Sequence, residues 1–272
     1  MSNQLLKGKK GIIFGALDES SIAWKVAETA FAEGAAITLT NAPVAMRMGK
    51  INELAKACHA EVIPADATSI DDLTNLFNKA REIHGGKIDF VLHSIGMSPN
   101  VRKKKSYTDL NYEFYLKTLD ISAASFHKVC QVAYQTDAML DYGSILALTY
   151  IAAQRTFPSY GDMADAKATL ESIARGFGYH FGVKNKVRVN TISQSPTYTT
   201  AGSGVEGFDA FFNYANELSP LGNASAQDCA NYCVMMFSDY ARMITMQNLF
   251  HDGGFSFTGV SDKMMQRFLD HN

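Results

Sequence analysis

The regular alternation of short β-branched runs with helical stretches constrains this chain more than any other feature. "GIIFG" (11–15), "AITLT" (36–40), "EVIPA" (61–65), "KIDFVLHS" (87–94), "GSILALTY" (143–150), "KVRVNTIS" (186–193) and "MQNLFHDGG" (246–254) read as strands. Helices are predicted over 21–34, stopped by Gly34, and over 43–58, where Pro43 occupies a tolerated first position. Others are predicted over 68–85, with Thr68 as N-cap and two acids in the first turn, within 111–138, and across Tyr160 and Lys167. Strands separated by helices pair in parallel, and a parallel sheet is covered on both faces. No repeat, low-complexity tract or linker divides the 272 residues. The expected fold is α/β: one doubly wound Rossmann-like domain over 1–272, with a parallel sheet of about seven strands. In such sheets ligands lie beyond the carboxyl ends of the strands, which points to the loops after residues 15, 41, 65, 94, 149 and 193.

Charge excludes some partners. Lys plus Arg is 25 and Asp plus Glu is 27, so no bulk attraction to nucleic acid or membrane is expected. The N-terminus lacks the apolar stretch of a signal peptide and no apolar run reaches spanning length, so the cytoplasm is the expected compartment. Cys229 and Cys233 lie one helical turn apart without a histidine pattern to complete a zinc site. They are expected, with Cys58 and Cys130, to be buried reduced thiols, and no metal is expected.

The first loop, "GALDESSIA", lacks the three glycines of the usual dinucleotide fingerprint. It keeps Gly15 at the strand end and Ser21 at the next helix N-terminus, where free N–H groups and partial positive charge suit a pyrophosphate. The Ser21 hydroxyl is expected to add a donor; a plain capped helix has the same sequence. The second strand ends "TLTNAP", without the acid that holds an adenosine ribose. Arg47 and Lys50 follow, so the choice between NADH and NADPH stays open. Asp66 is placed to accept from an adenine amino group, to cap the turn before the next helix, or both.

"SYGDMADAK" (159–167) places a phenol and an ammonium seven residues apart. On one α-helix that spacing returns the side chains to within about 20° of one face, roughly 10.5 Å apart along the axis. The pair follows the fifth strand, whose end opens on the ligand crevice.

These residues carry a resemblance. "GALDESSIAW", "PADATSIDDL", "DFVLHSIG", "ALTYIAAQRTFPSYGDMADAKATLESIAR", "VRVNTIS" and "HDGGFS", spread over about 7–256, resemble the short-chain dehydrogenase/reductase superfamily. Within it, they are similar to the bacterial enoyl-acyl-carrier-protein reductases. Most members of the superfamily have three residues between tyrosine and lysine; this chain has six. Ketone reduction needs an acid at the oxygen of the carbon that takes hydride. Enoyl-thioester reduction sends hydride to C3 while charge develops on the C1 oxygen, so the donor belongs further from the nicotinamide. Displacing the tyrosine while leaving the lysine meets that need.

The resemblance implies an enoyl reductase of the fatty-acid elongation cycle, with Tyr160 donating to the enolate oxygen and Lys167 on the nicotinamide ribose. It places Tyr150, seventeen residues before Lys167, in the acyl site, where ordinary members have a serine. It implies cofactor contacts at Gly15, Ser21, Ile22, Asp66, Ala67, Ile95, Gly96 and Lys167. It adds Ala42, which lacks the polar side chain of that position, and the run Thr197, Tyr198, Thr199, Thr200 and Ala201. Ser98 is expected to border the acyl site. The partners implied are acyl carrier protein and further copies of the chain in a homotetramer. The segment about 194–217 is expected to be a mobile cover, with Gly202, Gly204 and Gly207 for flexibility and Phe208, Phe211 and Phe212 for apolar surface. The basic run Arg102, Lys103, Lys104 and Lys105 is expected to dock the acidic carrier protein; Glu206 and Asp209 leave the segment after the substrate loop unsuited to that. An ordinary ketone or alcohol oxidoreductase and a non-catalytic nucleotide sensor are the alternatives.

Overall fold

The computed structural model describes residues 3–200, 202 and 207–270. Seven parallel strands form one sheet: β1 (Lys10–Phe14), β2 (Ala36–Thr40), β3 (Glu61–Val62), β4 (Ile88–His93), β5 (Met139–Thr149), β6 (Arg188–Gln194) and β7 (Asn248–His251). Their order is β3-β2-β1-β4-β5-β6-β7, with every neighbouring pair parallel. The order reverses between β1 and β4, so the crevice for a ligand opens above these two strands.

Eleven α-helices connect them among the described residues: α1 (Ile22–Ala32), α2 (Pro43–Met48), α3 (Ile51–Ala57), α4 (Ile70–Ile83), α5 (Pro99–Arg102), α6 (Tyr112–Leu119), α7 (Ser125–Gln135), α8 (Met163–Asn185), α9 (Phe208–Leu218), α10 (Ala226–Phe237) and α11 (Asp262–Asp270). The period of two in β1 explains the two layers. Ile12 and Phe14 point to one face, where Phe77 of α4, Phe126 of α7 and Leu170 of α8 close a core. Ile13 points to the other, where Trp24 of α1, Leu54 of α3 and Phe237 of α10 close a second. All four cysteines are free and buried. No helix of the described residues is long and apolar enough to cross a membrane.

Several local expectations need correction. The stretch 43–58 is two helices, broken at Gly49, whose backbone passes so close to Leu17 that a Cβ would stand 2.5 Å from its carbonyl oxygen. The cap of α4 is Ser69 rather than Thr68; its hydroxyl accepts from the Asp72 amide at 3.2 Å. The long helix within 111–138 contains a π-turn over Asp120–Ala124, between α6 and α7.

The largest departure concerns the tyrosine. Tyr160 is not on the helix that carries Lys167. It ends a separate 3-10 turn, Pro158–Tyr160, and α8 begins only at Met163. Gly161 between them has φ 52° and ψ −138°, a conformation that residues with a Cβ avoid. The rotation and rise expected for one continuous helix therefore do not apply.

Candidate active site

Gly15 stands at the carboxyl end of β1 with φ 93°, and a Cβ there would meet the Ser94 carbonyl oxygen at 2.0 Å. Only glycine lets the loops after β1 and β4 close on each other at the sheet's reversal point. The next turn is held by its own side chains. Ser21 Oγ donates to the Asp18 carbonyl at 2.6 Å and accepts from the Leu17 amide at 3.2 Å. Its proton is committed inside the loop, so the hydroxyl is not the free donor expected from sequence. The amides at the start of α1, at Ile22, remain the groups suited to a phosphate.

At the end of β2, Asn41 takes the place of an acid. Its amide donates to the Ala16 carbonyl at 3.1 Å and its oxygen accepts from the Ala42 amide at 2.9 Å. Lys50 pairs with Glu19 of the first loop at 3.5 Å, and Arg47 is exposed on α2. Beyond β3, exposed Asp66 has Oδ1 occupied by the Thr68 amide and hydroxyl at 2.9 and 2.8 Å. This is the capping role; the carboxylate still lies at the crevice edge. Ala67 is buried behind it.

Lys167 lies on α8, only 8% exposed, and its ammonium donates to the Leu148 carbonyl at 2.7 Å. Gly96, after β4, lies directly over it: a Cβ on Gly96 would stand 3.8 Å from Lys167 Nζ. Ile95 packs beside it against the core. Burial pushes the ammonium down to about 8, and the Glu171 carboxylate opposes that fall. Glu171, one turn further along α8, is itself buried. It accepts from Thr149 at 2.9 Å, Asn248 at 3.1 Å and Gln154 at 3.0 Å.

The two tyrosines meet beyond the carboxyl end of β5. Tyr150 follows β5 directly, and its ring centroid lies 5.2 Å from that of Tyr160. Burial pushes both phenols well above their usual range, so both remain protonated donors near neutral pH. The Tyr150 hydroxyl is buried without a partner among the described residues, an orphan donor that a bound carbonyl would satisfy. Phe157 and Phe211 lie 5.5 and 6.2 Å from the Tyr150 ring, and Phe255 extends the apolar surface. A cavity of ≈ 340 Å³ continues outward between Ile151, Phe157, Phe211, Leu218 and Phe255. A cavity whose aromatic wall continues to the Tyr150 phenol, with Arg155, Thr156, Ser256 and Thr258 also on its lining, suits a polar acyl head with a hydrocarbon tail.

The chain matches the family model described as enoyl-(acyl carrier protein) reductase over residues 15–256. The chain belongs to that reductase family. It is similar to "Enoyl-[acyl-carrier-protein] reductase [NADH] 2" of Rhizobium meliloti, 31% identical over 98% of this chain and 99% of that one. It is also similar to the NADH enoyl reductase FabI of Rickettsia typhi, 32% identical over 96% and 99%. Among solved structures, a FabI–NADH complex from Alistipes finegoldii is 64% identical, with TM-score 0.94 over 95% of this chain and 91% of that one.

Within the reductase frame, some expected residues stand differently. Ser98 is buried, and its hydroxyl donates to Asp162 while accepting from the Val101 amide. It is not offered to an acyl group. Thr197 donates to the Ser195 carbonyl at 2.9 Å, and Thr199 accepts from the Gly202 amide at 2.9 Å. Tyr198 donates to Asp209 at 2.9 Å and packs on Phe208 and Phe212. Thr200 Oγ1 donates to Asp18 at 2.5 Å, joining the loop after β6 to the loop after β1. Ala201, Gly204 and Glu206 lie outside the described residues. Of the three phenylalanines expected to cover the acyl chain, only Phe211 reaches Tyr150. Glu171, Asp162, Phe157 and Phe255 were missed by sequence reasoning. An acid four residues after Lys167, on an otherwise apolar helix face, was the available signal for Glu171.

Proposed function

We propose that this chain reduces the trans-2 double bond of enoyl thioesters carried on acyl carrier protein, in the elongation cycle of fatty-acid synthesis. The observation that carries the reading is the pairing of Tyr150 and Tyr160, 5.2 Å apart, with Phe157 and Phe211 leading from Tyr150 into a cavity. NADH is the proposed cofactor, because the relatives named above carry it in their names. The fit is supported by the Gly15 contact at the switch point, the open crevice edge at Asp66 and the Gly96–Lys167 approach. Gly15, Ile22, Asp66, Ala67, Ile95, Gly96, Lys167 and the 197–201 run would hold it, with Ser21 shaping the loop and Ala42 contributing backbone only.

Bound NADH supplies hydride to C3 of the enoyl group. Tyr160 donates a hydrogen bond to the thioester oxygen, where negative charge grows as C3 is attacked. Tyr150 offers its orphan hydroxyl to the same acyl head. Lys167 would hold the cofactor's ribose, and its charge would favour the enolate. A proton then reaches C2 and completes the reduction. Phe157, Phe211 and Phe255 exclude water, which strengthens these electrostatic contacts.

The carrier protein is proposed to approach the exposed run Arg102–Lys105, where α5 leaves the loop after β4. Lys105 pairs with Asp109 at 3.2 Å and Lys103 lies over the Phe114 ring at 5.2 Å, so the run is partly ordered. Self-association into a tetramer is supported by exposed Tyr112 and Leu116 on α6 and Tyr179 and Val183 on α8. Steady-state turnover of a crotonyl thioester against a ketoacyl thioester, each with NADH and NADPH, tests the reading. Activity confined to the ketoacyl substrate would sink it.

A further inference from the structure

Asp162 is a fully buried acid placed between Tyr160 and the helix of Lys167. Its side chain does not cap α8, so the usual preference for aspartate at a helix start does not explain it. Instead, Oδ1 accepts from Ser98 Oγ at 2.6 Å, while Oδ2 accepts from Asn100 Nδ2 at 2.8 Å and shares the Thr118 hydroxyl proton, at 2.9 Å, with the Phe114 carbonyl at 2.8 Å. Asn100 is itself fixed, donating to the Asn111 carbonyl at 3.1 Å and accepting from the Asn111 amide at 3.1 Å. A buried carboxylate is tolerated only when its oxygens are satisfied, and hydrogen bonds to a charged acceptor are the stronger kind. The acid, at the N-cap of α8 and two residues past Tyr160, thus ties the start of α8 to Ser98 and α5 and to the end of α6.

The joint matters because of Gly161. That residue breaks the backbone between Tyr160 and α8, so the helix that fixes Lys167 does not by itself fix the tyrosine. Ser98 lies two residues after Gly96, which approaches the lysine ammonium. The carboxylate therefore anchors the far end of the one-residue link to Tyr160 on the same loop that borders the cofactor crevice.

We propose that Asp162 is a positioning residue, which aims the Tyr160 hydroxyl at the acyl carbonyl by clamping its turn to Ser98, Asn100 and Thr118. This rests on the reading of Tyr160 as the enolate donor. In Asp162→Asn, an amide nitrogen at the Oδ2 position meets the Asn100 donor, and one at the Oδ1 position requires the Ser98 hydroxyl to turn and accept, so the charge-assisted bonds are replaced by weaker neutral ones. Asn100 cannot reverse its own amide, because its oxygen is held by Asn111. The turn loses its register, and displacement of a reacting group by about 1 Å can cost up to about 10²-fold in rate.

The test is a double-mutant cycle with Tyr160→Phe, reading kcat on a crotonyl thioester and the NADH dissociation constant. Asp162→Asn should lower kcat by about tenfold or more while the NADH constant stays within about twofold. In the Tyr160→Phe background the further loss should fall below about twofold, because nothing remains to be aimed. Ser98→Ala, which removes one donor, should show a smaller loss with the same dependence on Tyr160; it decides the question if Asp162→Asn does not fold. An equal loss in both backgrounds, or full kcat in Asp162→Asn and Ser98→Ala, overturns the proposal. Full activity of Tyr160→Phe alone removes the donor reading and this inference with it. An impaired Tyr160→Phe with an additive Asp162→Asn loss removes only the inference.

Discussion

The buried ammonium of Lys167 makes the pH dependence of catalysis a direct test of the site. Burial lowers it from 10.5 to about 8, which corresponds to about 3 kcal/mol acting against the charged form. If the ammonium is the form that holds the cofactor ribose, then kcat/KM for NADH, which reports the free enzyme, should fall as pH rises through about 8. Above that point the loss should approach tenfold per pH unit. The sign follows from the charge: deprotonation removes the positive group, so activity is present below the midpoint and lost above it. Glu171 holds the midpoint up, and its removal should bring it down. Glu171→Gln is the suitable perturbation. Its amide oxygen keeps the Thr149 and Asn248 donors, and the Gln154 amide can reverse to accept from its nitrogen. For a unit charge one helical turn away, partly screened, a shift of the basic limb by roughly half to one pH unit is expected. The assay is NADH oxidation with a crotonyl thioester across pH 6–10 at subsaturating NADH, in parent and Glu171→Gln. A basic limb that stays in place when the carboxylate is removed would refute the electrostatic role given to Lys167.

Three further outcomes are expected. Tyr160→Phe should lower turnover by about 10²–10³-fold with little change in NADH affinity, measured by cofactor fluorescence, because one donor to developing charge is lost. Phe211→Ala opens the apolar chamber beside Tyr150, so KM for a dodecenoyl thioester should rise severalfold while that for a crotonyl thioester moves little; equal changes would mean that Phe211 does not contact the acyl tail. Changing Lys103, Lys104 and Lys105 together to Ala should slow turnover of a carrier-protein thioester at low salt and leave a short thioester unaffected, with the difference fading as salt screens the charges.

Much of the fold was legible because each strand has its own chemistry. The β-branched runs at β1, β4 and β6 are buried on both faces, and such runs resist any other reading. β3 is regular only over Glu61–Val62 rather than 61–65, although the Ile63 and Ala65 amides still donate to the Leu39 and Asn41 carbonyls; Pro64 is tolerated between them because the amide it lacks would face the open edge. Helices α10 and α11 were not expected. The second has no buried residue, and of its apolar positions Met264 packs, half-buried, against the cluster of Leu218 and Phe255, so the core left a weak signal there. In the site, Gly15 ends β1, Tyr150 follows β5 and Lys167 lies on α8, places that the strand and helix pattern made legible. Ser21 and Ser98 do not offer free hydroxyls, because short polar side chains take the nearest backbone or carboxylate partner, and local spacing does not show which partner that is. Asp162 was hidden for the same reason: its three partners are 44 to 64 residues away.

The tyrosine turn shows why a longer spacing need not mean a longer helix. Pro158 and Gly161 were both present in "FPSYGD", and each is a turn signal. A tyrosine on the helix itself could shift only in steps of helical geometry, each with its own rotation. Placing it on a separate turn, with Gly161 in a conformation open to glycine, removes that restriction. The ring can then stand beside Tyr150, at the mouth of an apolar chamber, while α8 continues to hold Lys167 under Gly96. A freely hinged donor would be a poor one, since its orientation would have to be fixed anew in each turnover. The fully buried carboxylate of Asp162 anchors the chain on the far side of Gly161, leaving a one-residue link to Tyr160, and it does so through the very loop that borders the cofactor crevice.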